Sequence, residues 1–161
     1  ADWLNRRYQG ARVLVCGFGF LLSAPAFAVA ISSRSFVLFS AFFVLTTLLL
    51  TIYTGPSTAA TQDVVPSVLR ASAVAISLLI AHLLGDAFSP TVVGTLANAF
   101  DPRPAFDFAH NLTGQYLSHA LVITCTPALV IAGLVGIFGA RWMKSDIAAA
   151  EETDKLVRQS V

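Results

Sequence analysis

The sequence predicts an all-α, polytopic membrane protein with four transmembrane helices. Three observations carry that expectation. Hydrophobic residues make up 56% of the 161 and charged residues 12%, where a water-soluble domain carries about 25% charged residues. Mean hydropathy is +0.74. Four stretches are also long enough to cross a hydrocarbon core of about 30 Å, which takes roughly 20 apolar residues in a helix. None of them shows the strict alternation of a barrel strand.

The first span is expected at 13–31, interrupted by Pro25. Residues 1–12 precede it as a charged segment with Asp2, Arg6, Arg7 and Arg12. Arginines before an apolar run resemble the start of a signal peptide, but this run is too long and no soluble domain follows. The chain opens Ala1-Asp2 and its only methionine is Met143, so a piece of a longer protein is expected. Ser32-Ser33-Arg34 forms a tight turn into the second span, 35–56, which closes on Thr54-Gly55-Pro56. A polar link with Asp63, Pro66 and Arg70 leads to the third span, 71–100. A longer loop with Pro102, Pro104, Asp107 and His110 leads to the fourth, 117–138. Residues 141–161 read as a solvated tail helix, supported by the acid-before-base pairs Glu151/Lys155 and Asp154/Arg158 at i,i+4. Gly133, Gly136 and Gly139 in the fourth span, with the small residues of the third, permit close helix approach.

Charge bias sets the expected orientation. Arg6, Arg7, Arg12, Arg70, Arg141 and Lys144 flank the spans on one side, Arg34 and Arg103 on the other. The positive-inside rule then places both termini and the 62–70 link in the cytoplasm, and an even number of spans agrees. The same arginines, with Asp2 and Asp63, are candidates for a cytoplasmic gate or for orientation alone. Arg70 opens a helix, where the dipole disfavours a cation, so an acidic partner is expected, Asp63 being the nearest in sequence.

The chemistry-bearing residues lie in the third span. His82 and Asp86 are four apart and share one helix face. Ser89 extends that face, and Pro90 removes a backbone hydrogen bond beside it. Ionisable groups at mid-span are costly and mark pathways or proton relays, and a histidine beside a carboxylate exchanges protons near neutral pH. Asp86 could equally lock one helix to another, and both readings stand at this point. Thr54, Gly55, Pro56 and Thr58 are a second candidate, because broken helices line transporter cavities, although such kinks also occur in purely structural spans.

Several classes find no support. Cys16 and Cys125 have no pair spacing and no His partner, so no disulfide framework, metal or other cofactor is indicated. His110 and His119 lack a carboxylate at ligand spacing and read as incidental. Asn111-Leu112-Thr113 matches a glycosylation sequon. A net charge of +1 offers no field for nucleic acid. No phosphate-binding loop, nucleophile elbow, HExxH or catalytic carboxylate pair is present, so neither an ATP-driven pump nor an intramembrane protease is expected.

Together, Thr54-Gly55-Pro56, then Pro66-Ser67-Val68-Leu69-Arg70, then His82-Leu83-Leu84-Gly85-Asp86-Ala87-Phe88-Ser89-Pro90 and Gly94 resemble the spinster-like branch of the major facilitator superfamily. Asp2…Arg6-Arg7…Gly10…Arg12 looks like a degenerate form of that superfamily's loop signature. The resemblance covers about residues 1–140. It implies that the four spans are helices nine to twelve of a twelve-helix carrier, in its C-terminal six-helix bundle. It implies a lysolipid, sphingolipid-like or related amphiphilic substrate, possible coupling to protons, and partnership with the N-terminal helices of the same carrier. It also implies a bacterial inner membrane or a eukaryotic plasma or lysosomal membrane as the site of residence. Two positions depart from the pattern: Thr58 stands where Asn is expected, and Asn98 where an acidic residue often closes the eleventh helix. The competing expectation is a self-contained four-helix membrane scaffold without transport activity.

Overall fold

The computed structural model describes residues 10–100 and 113–159. All regular structure among them is helical. In chain order the helices are α1 (Ala11–Ser32), α2 (Phe36–Thr51), α3 (Thr54–Asp63), α4 (Arg70–Ile80), α5 (Ser89–Phe100), α6 (Thr113–Gly139) and α7 (Met143–Gln159). A short 3₁₀ turn, Ser67–Leu69, precedes α4, and a π-helical segment, Ala81–Asp86, joins α4 to α5. Four helical stretches are long and apolar enough to cross a membrane: Ala11–Ser32, Phe36–Asp63, Ser67–Phe100 and Gly114–Gly139. These are the four expected spans, and the all-helical membrane class is borne out.

The bundle is organised around α1, which packs against α6, α2 and α3. Small residues make this possible. A Cβ on Gly17 would lie 2.9 Å from the Gly133 carbonyl oxygen, and one on Gly136 would lie 3.1 Å from the Gly17 Cα. The α1 and α6 backbones therefore meet with nothing between them, as small-residue interfaces in membranes allow. Gly10, at φ 118°, starts α1 directly under the Ala140 carbonyl, where a Cβ would come within 2.7 Å. A left-handed φ and a backbone contact both exclude other residues there. Ala24, Ala30, Ser23 and Ala120 complete the buried interior. The Ser23 hydroxyl donates to the Phe20 carbonyl, so its burial leaves no proton unpaired.

The second span does not stop at its Gly-Pro. Ile52 and Tyr53 keep right-handed helical dihedrals, and the helix runs on through α3 to Asp63. Pro56 falls in the first turn of α3, where an N–H is dispensable. The Thr58 and Thr61 hydroxyls donate to the Thr54 and Ser57 carbonyls four residues back. Phe20 and Tyr53 hold the junction against α1, with ring centroids 4.8 Å apart.

The tail helix is docked rather than free. Pro66 occupies the N-cap position of the 3₁₀ turn and has no side-chain acceptor. The cap comes instead from Asp154, whose Oδ1 accepts from the Ser67 N–H at 2.9 Å and from the Ser67 hydroxyl at 3.0 Å. Met143 and Ala150 are buried on the same helix. At the junction of α6 and α7, the Arg141 guanidinium lies over the Phe138 ring at 4.9 Å and near Trp142. This is the cation–π arrangement of an interfacial anchor.

Candidate functional site

The third span is the least covered part of the bundle. Its apolar window has no buried residue, against 39% of the window in the first span. Only toward its far end, where Val93 is buried in α5, does it pack firmly on α6. His82 and Asp86 sit on this uncovered helix at mid-span.

Their local geometry follows from Pro90. An α-helix would bring the Pro90 nitrogen toward the Asp86 carbonyl, but proline has no N–H and its ring clashes with that carbonyl. The chain answers by widening the preceding turn. Ala87 donates to the His82 carbonyl five residues back, at 3.3 Å, and Ala81–Asp86 takes the π form. Gly85 lies inside the widened turn with open space beside it. Such π segments are rare and recur at functional sites. Across the turn, His82 Nδ1 and Asp86 Oδ2 are 2.5 Å apart, and both side chains are more than 70% exposed in this chain. The Ser89 hydroxyl, opening α5 one turn further on, has no hydrogen-bond partner among the described residues.

This arrangement sets an imidazole and a carboxylate within hydrogen-bond distance, with their outer atoms open to a further polar group. A bare ion pair at this depth cannot face hydrocarbon. Intramembrane ionisable residues face a bundle interior or a water-filled cavity.

The remaining candidates fall elsewhere. Arg12 and Asp63 are brought together: the Arg12 guanidinium donates to Asp63 Oδ2, tying the start of α1 to the end of α3 with both side chains half-buried. Asp63 therefore does not serve Arg70. Arg70 donates to the Val65 carbonyl at 3.4 Å and lies in the field of Asp154. The acid that offsets its position at a helix start comes from the tail helix, 87 residues away from Ser67. The Ser67 N–H, the Ser67 hydroxyl and the charges of Arg70 and Arg158 hold the Asp154 carboxyl below its ordinary value, the N–H contributing most. Thr54, Gly55, Pro56 and Thr58 form the first turns of α3. No hydrogen bond among the described residues joins that turn to His82 or Asp86, and the Thr58 hydroxyl is already committed to the Thr54 carbonyl. Asp2, Arg6 and Arg7 lie outside the described residues.

What these features define is a polytopic, all-helical membrane protein with a histidine–carboxylate pair on an uncovered span. Comparison with known proteins makes the assignment more particular. The chain is 30% identical over 154 residues to protein spinster homolog 3 of Danio rerio, covering 92% of this chain and 30% of that protein. It is 29% identical to protein spinster homolog 3 of Mus musculus over 94% of its own length. It is 30% identical to the sphingosine-1-phosphate transporter SPNS2 of Mus musculus, over 93% of this chain and 27% of that protein. No protein-family model matches. The chain thus spans about a third of the length of the curated relatives it matches. The resemblance carried by His82-Leu83-Leu84-Gly85-Asp86…Ser89-Pro90 is borne out: the curated relatives of this chain are spinster proteins.

Proposed function

We propose that this chain is the region of helices nine to twelve of a major facilitator carrier that moves an amphiphilic solute of the lysolipid or sphingolipid class by alternating access. The observation that carries the reading is the His82–Asp86 pair, held at 2.5 Å on a span left open by the rest of the chain. A polar site at mid-membrane, beside an irregular turn of helix, is the arrangement in which transporters bind their solute. One relative is named for sphingosine-1-phosphate transport, which supports a phosphate-bearing amphiphile as the solute class.

In this reading the pair faces the cavity completed by the other helices of the carrier. The imidazole takes up and releases a proton as the cavity alternates between the two faces of the membrane, or donates to the solute headgroup. The widened turn lets the two halves of the span, α4 and α5, tilt against each other. Arg12–Asp63 and Asp154–Ser67 hold the opposite, packed end as one unit that moves as a body. With positive-inside orientation that end is cytoplasmic, and Asp2, Arg6 and Arg7 join it as a gate.

The test is transport of a labelled lysophospholipid and of a sphingoid-base phosphate in proteoliposomes of the full-length carrier, with and without a proton gradient. Wild type moves at least one of them, and His82→Ala and Asp86→Asn lose most of that transport. Full activity in both variants would remove the role given to the pair. A well-folded full-length protein that moves no amphiphile of either class would favour a scaffold instead.

A further inference from the structure

The end of the bundle opposite Arg12 and Asp63 carries a second polar feature. A cavity of about 540 Å³ opens between the α1–α2 turn and the start of α6. That volume lies within the range of small-molecule and lipid-headgroup sites, about 300–1,000 Å³. Arg34, Gln115 and His119 supply polar lining, and Ile31, Val122 and Ile123 supply apolar lining. Among the described residues no carboxylate lines it. The hydroxyls of Ser33 and Ser118 are turned back onto the Val29 and Gly114 carbonyls. Among the described residues the donors left to a ligand are therefore the guanidinium, the imidazole, the amide and the Ser32 hydroxyl. Neither Arg34 nor His119 has an ion-pair or hydrogen-bond partner among the described residues.

Depth gives the ligand its shape. Gly114 begins the fourth span and Ile123 lies nine residues into it, roughly 14 Å along a helix rising about 1.5 Å per residue. The cavity therefore starts at the polar boundary of the membrane and reaches well into the hydrocarbon. A cation at the boundary above an apolar wall matches a molecule with an anionic head and an acyl chain. Arg is the side chain best suited to a phosphate, because its planar fork binds two oxygens at once.

We propose that this cavity binds an anionic phospholipid of the adjoining leaflet, its phosphate on Arg34 with His119 and Gln115 beside it, and the start of an acyl chain against Ile31, Val122 and Ile123. The site lies on other spans than the His82–Asp86 pair and does not depend on the transport reading.

The experiment is native mass spectrometry of the full-length protein in micelles containing phosphatidylglycerol and phosphatidylcholine of matched chains, with thermal midpoints recorded in parallel. Wild type retains phosphatidylglycerol in preference to phosphatidylcholine. Loss of a charge-assisted hydrogen bond in Arg34→Ala lowers that preference about tenfold or more. Arg34→Lys, which keeps the charge without the fork, falls between, so the reading survives if the alanine variant proves unstable. Equal retention of both lipids by wild type would overturn the proposal, as would an unchanged preference in both variants. Displacement of phosphatidylglycerol by excess inorganic phosphate would overturn the lipid assignment in favour of a free-anion site.

Discussion

The α1–α6 seam and the third span are built from the same kinds of residue, yet they are opposites in packing. Along the seam, Gly17, Gly133 and Gly136 let two backbones touch, and an added methyl group at any of them strikes a neighbour within 3.1 Å. In the third span, Gly85 and Gly94 have nothing within 4 Å. The seam is closed by small residues, whereas the third span carries a histidine–carboxylate pair at its centre. Glycine in the seam serves close packing, and its surroundings say so. Gly85 sits where the helix widens, and a Cβ added to it or to Gly94 would meet no described atom within 4 Å. The difference separates a tightly packed seam from a span that the described residues leave largely uncovered.

Substitutions at matched glycines should separate the two regions most widely. Gly17→Leu forces a side chain into the α6 backbone, and overpacking of this kind costs about 3 kcal/mol or more. We expect loss of monodisperse protein, or a large drop in thermal midpoint followed by fluorescence-detected size exclusion. Gly85→Ala meets no atom of this chain, and its thermal midpoint should match wild type. If Gly85→Ala unfolds the protein as Gly17→Leu does, the third span is as tightly packed as the seam and the contrast is lost.

The ion pair sharpens the contrast from the functional side. Asp86→Asn removes a charge-assisted hydrogen bond whose loss corresponds to about tenfold in an equilibrium. Transport should fall by about that factor while the thermal midpoint stays put. A fall in stability equal to that of a seam variant, with transport per folded molecule intact, would make the pair a structural lock.

The packed end should show coupling of intermediate size. Arg12 and Asp63 are half-buried, so a double-mutant cycle with Arg12→Ala and Asp63→Asn should return about 1 kcal/mol. A value near zero would mean that the two ends of α1 and α3 are held by packing alone.

The smallest effect belongs to the tail. The Asp154 carboxyl is held below its ordinary value chiefly by the Ser67 N–H. A depressed folded-state value means that its contribution is fully present above the unfolded value, about 3.9, and fades as pH falls through the lower folded one. Hydrogen exchange at Ser67 to Arg70 should therefore be flat from neutral pH down to about pH 4 after correction for intrinsic rates, and rise below it. In Asp154→Asn the exchange should be faster throughout. Exchange insensitive to both would mean that Met143 and Ala150 alone hold the tail.

Much of this was legible in the sequence, for identifiable reasons. Span positions follow from local hydropathy, and the loosened turn at Pro90 follows from a missing N–H, both local signals. The His82–Asp86 contact is four residues long and needs only helical geometry. The misjudged features were non-local or cancelled by position. Gly55-Pro56 resembles a helix end, but Pro56 falls where a first-turn N–H is dispensable, so the helix passes through it. Asp63 is the acid nearest Arg70 in sequence, whereas its partner Arg12 lies 51 residues away. Asp154 feels Arg158 along its own helix, as the i,i+4 spacing implies, but its hydrogen bonds to Ser67 on a distant element have no local signal. The cavity at Arg34 and His119 has no sequence motif, since its residues come from the end of α1, the turn after it and the distant helix α6.

The central claim is that the face bearing Asp86 opens on a polar cavity inside the membrane. Its most direct test is labelling of Asp86→Cys in proteoliposomes of the full-length protein with a water-soluble, membrane-impermeant maleimide, read by residue-resolved mass spectrometry. The account predicts modification at position 86 from the aqueous phase, slowed by an amphiphilic solute. A cysteine there that stays unmodified without solute, while the protein remains folded, would contradict it.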